Sequence, residues 1–161
     1  MASSEWLSKQ RRIAIVGMGN TLLSDDGIGI HVVEALQDMG IDCDGGIQLV
    51  DAATSPDILL SLDDVDKLIL IDAAHGGCEP GAVYRFRPEE VDTNGACVDS
   101  LHEVNLAHTL WMMDVLGRKP DDIVIFGIEP KQMNFGLEPS VELVQKIPEI
   151  AELVLEEIER C

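Results

Sequence analysis

The feature that most constrains this chain is a set of short, largely apolar runs that end on glycine or aspartate. Arg12-Ile-Ala-Ile-Val16 ends at Gly17, Ile47-Gln-Leu-Val50 at Asp51, Lys67-Leu-Ile-Leu-Ile71 at Asp72, and Asp122-Ile-Val-Ile-Phe126 at Gly127. Runs of this length rich in β-branched residues read as strands buried on both faces, the pattern of parallel sheets. Helical signals fall between them. Ile28, Val32, Leu36 and Met39 recur at spacings of three and four, which makes an apolar stripe. Pro56 to Leu62 reads as a short helix with proline tolerated in its first turn. Ser100 to Leu116 and Val141 to Glu159 read as longer helices, the second expected to be kinked or split at Pro148. Gly81 to Phe86 follows a Glu-Pro-Gly turn and reads as an edge strand. Strands alternating with helices imply βαβ units. The expected fold is therefore α/β: one doubly wound domain over residues 1–161, with a mostly parallel sheet, one antiparallel edge strand and helices on both faces. Residues 1–11 are expected to be flexible.

Composition removes several classes of function. Thirty acids against eleven bases give a formal net charge of −19. Nucleic-acid binding needs Lys and Arg to displace phosphate counterions, so no nucleic-acid partner is expected. No run approaches the ~18 apolar residues of a membrane span, and no signal-peptide pattern follows the polar N-terminus. The four cysteines, Cys43, Cys78, Cys97 and Cys161, form no Cys-x-x-Cys pair. They read as reduced thiols in a cytoplasmic protein.

In an open parallel sheet, ligands bind at the carboxyl ends of the strands. That rule selects the loop after Val16, Asp51 and Asp72. Gly17-Met-Gly19 suggests a dinucleotide turn, but the third glycine of that motif falls on Leu22, and Asp25 and Asp26 would repel a pyrophosphate. Of these two acids, Asp25 is expected to cap the following helix. Asp26 is left beside Gly27, where little side-chain bulk blocks a ligand, and the helix end favours the ionised carboxylate that binds metals. Asp72 abuts a buried strand and reads equally as a metal ligand or a turn former. His102 follows Ser100 and precedes Glu103, a capping-box pattern that places it in a first helical turn and favours the neutral imidazole. A purely structural histidine fits there as well. His75, three residues past Asp72, can reach the same cleft. Two carboxylates and an imidazole suit nickel or zinc with positions left open.

Gly17-Met-Gly-Asn-Thr-Leu-Leu-Ser-Asp-Asp-Gly-Ile-Gly29 resembles the opening signature of the hydrogenase maturation endopeptidases, and the resemblance runs from Ile13 to the last helix. It aligns Asp26 with the first metal-contacting carboxylate of that family, Asp72-Ala73 with the second, and Ser100-Leu-His102 with the contacting histidine. It implies a monomeric cytoplasmic peptidase that trims the C-terminal extension of a nickel–iron hydrogenase large-subunit precursor. Nickel, presented by the precursor, would be the recognition mark, with cadmium or zinc able to substitute. Asp26, Asp72 and His102 would contact the metal, and Asp51 would orient substrate or water. The alternative is a nickel-sensing chaperone that holds the precursor without cutting it. Two departures stand out. Many members carry Glu where this chain has Asp26, and the family's Asp-Gly-Gly-Thr segment is here Asp51-Ala52-Ala53-Thr54.

Overall fold

A computed structural model describes residues 10–41, 45–90 and 103–160. Five strands form one sheet: β1 (Ile13–Gly17), β2 (Ile47–Asp51), β3 (Lys67–Ala73), β4 (Val83–Phe86) and β5 (Asp122–Ile128). Their order is β2-β1-β3-β5-β4. All neighbours are parallel except β4, which runs antiparallel to β5 at the edge. The expected sheet is thus present, with its edge strand beginning two residues later than Gly81.

Alternate side chains along the strands feed two cores. Ile13, Ile15, Ile69, Ile71, Val124 and Phe126 face α1 (Ile28–Asp38) and α3 (Val141–Glu159). Ala14, Val16, Leu68, Leu70, Ile123 and Ile125 face α2 (Glu103–Val115) and the 3-10 turn Pro56–Ser61. Helical structure therefore covers both faces. The α3 helix runs through Pro148 as one element rather than splitting. Its amphipathic face, with Leu143, Ile150, Ala151 and Val154 all buried, offsets the one backbone hydrogen bond that proline removes.

Glycines set the spacing where α1 meets the sheet. A Cβ on Gly29 would lie 2.1 Å from the Ile71 carbonyl oxygen, and one on Gly17 would lie 2.4 Å from the Gly29 carbonyl oxygen. The start of α1 thus sits directly on the backbones of β1 and β3. Gly27 presses on the Thr21 backbone. It is required for chain packing, so the absence of a side chain there does not signal an open approach for a ligand.

At the other end of the strands lies an ion network. Lys67 and Glu157, both almost fully buried, are 2.8 Å apart. Lys67 also reaches Asp122, which pairs with Arg11 and Arg87, and Arg85 holds Glu157 through two hydrogen bonds. Burial pushes the Glu157 carboxyl up, but hydrogen bonds from Arg85 and Lys67 outweigh it and hold the pKa below the ordinary value. The same balance of burial against Lys67, Arg87 and Arg11 lowers Asp122.

Candidate functional site

The carboxyl ends of β2, β1 and β3 lie side by side. Gly17, the last residue of β1, is in register with Asp51 on β2 and Ile71 on β3, and Asp72 lies one step beyond. Past the strand the backbone is tied to both neighbours. The Met18 N–H donates to the Ile71 carbonyl (2.8 Å) and the Gly19 N–H to the Ala53 carbonyl (2.7 Å). The chain then turns through the 3-10 segment Ser24–Gly27 into α1.

Asp26 is buried in that segment, and its Oδ2 accepts the Asn20 N–H at 3.0 Å. Asp72 is also buried, with its Oδ1 accepting the Ala73 N–H at 2.8 Å. Asp26 and Asp72 thus place two buried carboxylates at the carboxyl end of the sheet. Asp51 is exposed, and its Oδ1 closes a tight turn on the Ala53 N–H (2.8 Å). Among the described residues no three His, Cys, Asp or Glu side chains are arranged to hold one metal ion. Asp51 therefore does not join Asp26 and Asp72 in a ligand cluster. His102 and its capping-box partner Ser100 lie outside the described residues, so the imidazole of the expected ligand set does too.

The expected cap differs. The α1 N-cap is Gly27, and no side chain caps it. Asp25 is instead fully buried and grips the segment linking β5 to α3. It accepts the N–H groups of Lys131 (2.8 Å), Gln132 (3.0 Å) and Ser140 (2.6 Å) and the Ser140 hydroxyl (2.9 Å). A dipole argument applied to the following helix could not find partners more than a hundred residues away.

Sequence reasoning also missed Glu129, which follows β5. Gly127 is in register with both Asp72 and Tyr84, so no side chain separates those two across β5. The Tyr84 hydroxyl and the Gly76 N–H (2.6 Å) both donate to Glu129 Oε2. The His75 Nδ1 stands 3.8 Å from Oε1. Burial raises the Glu129 pKa, but the bonds from Tyr84 and Gly76 and the nearby His75 bring it below the ordinary value. Burial and hydrogen bonds to Cys78 and Glu129 raise the Tyr84 pKa. Glu129 thus stakes the loop after Asp72 to the sheet edge, and His75 is half-exposed beside it. In the sequence Glu129 precedes Pro130 and looks like an ordinary turn acid.

A family model described as hydrogenase maturation protease matches residues 30–157. The chain belongs to the hydrogenase maturation protease family. Among members, the hydrogenase 2 maturation protease of Escherichia coli is 33% identical, over 81% of this chain and 82% of that one. The hydrogenase expression/formation protein HupD of Bradyrhizobium diazoefficiens is 34% identical over 76% of this chain, which spans 65% of HupD. A third relative, 28% identical over 91% of this chain and 94% of its own length, is the coenzyme F420 hydrogenase subunit delta of Methanothermobacter thermautotrophicus. The maturation protease fold is shared with solved structures. The [NiFe] hydrogenase maturation protease HybD of Thermococcus kodakarensis superposes with a TM-score of 0.78 at 25% identity, covering 92% of this chain and 99% of that one. The Escherichia coli HybD endopeptidase gives 0.76 at 28%, covering 91% of each. Like those proteases, this chain is a single α/β unit, and none of its described helices is long and apolar enough to cross a membrane.

Proposed function

We propose that this protein is an endopeptidase that removes the C-terminal extension of a nickel-loaded nickel–iron hydrogenase large-subunit precursor, acting as a monomer in the cytoplasm. Membership of the hydrogenase maturation protease family carries the reading. Two buried carboxylates at the carboxyl end of the sheet, where open parallel sheets bind ligands, support it. In this reading nickel arrives with the substrate. Asp26, Asp72 and His102 would contact it, which would set the register of the tail, and a metal so held would supply Lewis-acid polarisation of a carbonyl or bound water. Asp51, exposed at the rim, orients substrate or water. Cadmium or zinc can stand in for nickel at such a donor set.

The test is release of the tail from purified nickel-loaded precursor. Asp26→Asn, Asp72→Asn and His102→Ala are each expected to slow release by on the order of a hundredfold or more, since each removes a group that acts on the reacting end. Release at the parent rate in any of the three refutes that residue's role. A second reading has one observation in its favour: a relative of nearly full coverage is named as a hydrogenase subunit rather than a protease. A module that holds the precursor without cutting it would form the complex and leave the tail in place in the same assay.

A further inference from the structure

The segment linking β5 to α3 carries large apolar side chains into solvent. Phe135 is 91% exposed and Leu137 70%, and Leu22, at 56%, stands next to them. The backbone beneath them is firmly tied. The Gly136 N–H donates to the Leu22 carbonyl, the Ser24 N–H to the Gly136 carbonyl and the Ser24 hydroxyl to the Asn134 carbonyl, at 2.9, 2.9 and 2.7 Å. Leu23 and Gly136 lie side by side in a parallel bridge. The buried carboxylate of Asp25 holds both ends of the same segment, at Lys131–Gln132 and at Ser140. Three exposed apolar side chains on a backbone fixed this way pay little ordering entropy on binding, the circumstance that lets an aromatic anchor act as a hot spot.

We infer that Leu22, Phe135 and Leu137 form the surface on which the hydrogenase large-subunit precursor docks, through an apolar patch beside its nickel-bearing end. The inference rests on the proposed function and names where its partner sits. Position argues for this occupant. Leu22 belongs to the same short loop as Asp26, so whatever covers Phe135 and Leu22 also lies against the loop that carries the candidate carboxylate. Chemistry argues for it as well. With a net charge of −19, contact by charge alone would admit any basic surface, whereas an apolar anchor adds shape to the choice of partner. Among the described residues the other strongly exposed aromatic, Trp111, is on α2 at the opposite face of the sheet and serves as a control.

The test measures both binding and cleavage of the nickel-loaded precursor by the full chain. Phe135→Ser combined with Leu137→Ser is expected to raise Kd and KM by on the order of tenfold or more while leaving kcat at saturation unchanged. The melting midpoint is expected to hold, because both side chains point into water, and Trp111→Ser is expected to alter neither constant. A parent chain that binds and cuts while the double variant does so with unchanged Kd overturns the docking surface and leaves the proposed function standing. Binding without cutting in the parent refutes the peptidase reading, and the docking surface is then judged on Kd alone. No binding by the parent refutes both. If light scattering shows the parent to be a dimer that the double variant breaks, the patch belongs to a second copy and the inference falls.

Discussion

Asp25 and Asp26 are neighbours, both acidic and both buried, yet their hydrogen-bond partners differ, and replacing each with asparagine separates the structural role of the first from the role proposed for the second. Asp25 accepts four hydrogen bonds, from Lys131, Gln132 and twice from Ser140. A hydrogen bond to a charged group contributes about 1.5–3 kcal/mol, and a buried donor left unpaired costs about 1–3 kcal/mol. Asparagine offers one carbonyl oxygen to these donors. With that oxygen in the Oδ2 position, the Lys131 and Gln132 N–H groups and the Ser140 hydroxyl keep their acceptor, but the amide N–H₂ then confronts the Ser140 N–H. Losing that one bond to a charged group and stranding its buried donor gives roughly 2.5–6 kcal/mol. The three bonds that remain keep the segment in place, so the expected cost lies near the low end of that range, at about 3 kcal/mol. For a chain of this length 1 kcal/mol moves the midpoint by about 2–4 °C, so Asp25→Asn should melt roughly 6–12 °C below the parent at pH 7. Asp26→Asn keeps an oxygen for the Asn20 N–H and should melt closer to the parent than Asp25→Asn does while losing tail release. Calorimetric melts of the three proteins decide it. An Asp25→Asn variant within about 2 °C of the parent, or an Asp26→Asn variant that falls just as far, refutes this division of labour.

Three further outcomes follow from the same geometry. Glu157→Gln leaves Lys67 buried beside a neutral partner and should cost about 3–5 kcal/mol, read from the urea midpoint; a loss below about 1 kcal/mol would show that the network adds little. Because Glu157 and Asp122 have folded pKa values below their unfolded ones, their contribution is complete above about pH 4.5 and disappears as pH falls through the lowered folded values. Parent stability should therefore drop steeply only in acid, and Glu157→Gln should flatten that slope. Ala53 has a φ of +47°, a left-handed conformation that costs a side chain about 1–2 kcal/mol, while glycine gives back roughly 0.4–1 kcal/mol through the unfolded chain. Ala53→Gly should raise stability by a few tenths to about 1 kcal/mol, and a lowered calorimetric midpoint would remove the strain argument.

Most of the sheet was legible in the sequence because a strand buried on both faces writes itself as an unbroken apolar run. The three aspartates at strand and loop ends were legible for the same reason, since each interrupts such a run or stands where a parallel sheet binds ligands. Local rules failed where a side chain spends its bonding on distant chain. Asp25 was read as the cap of the next helix and proved to be the anchor of residues 131–140. Gly27 was read as open space, whereas it and Gly29 bring backbones together. Pro148 was expected to interrupt a helix that its buried apolar face keeps whole. Glu129 carried no signal, because Tyr84 and Gly76 become its partners only when β4 folds onto β5. The expected role of His102 rests on residues outside those described.

The ion network at the amino ends of the strands has a consequence for approach. Arg11, Lys67, Arg85 and Arg87 gather there around Asp122 and Glu157, while Asp26, Asp51 and Asp72 stand at the opposite rim. Four of the basic side chains thereby lie at the rim opposite these carboxylates, so charge is spread unevenly along the strands. A cation-bearing protein drifting nearby would be turned to meet the acidic rim before any contact forms. Added salt should slow that encounter much more than it speeds the partners' separation.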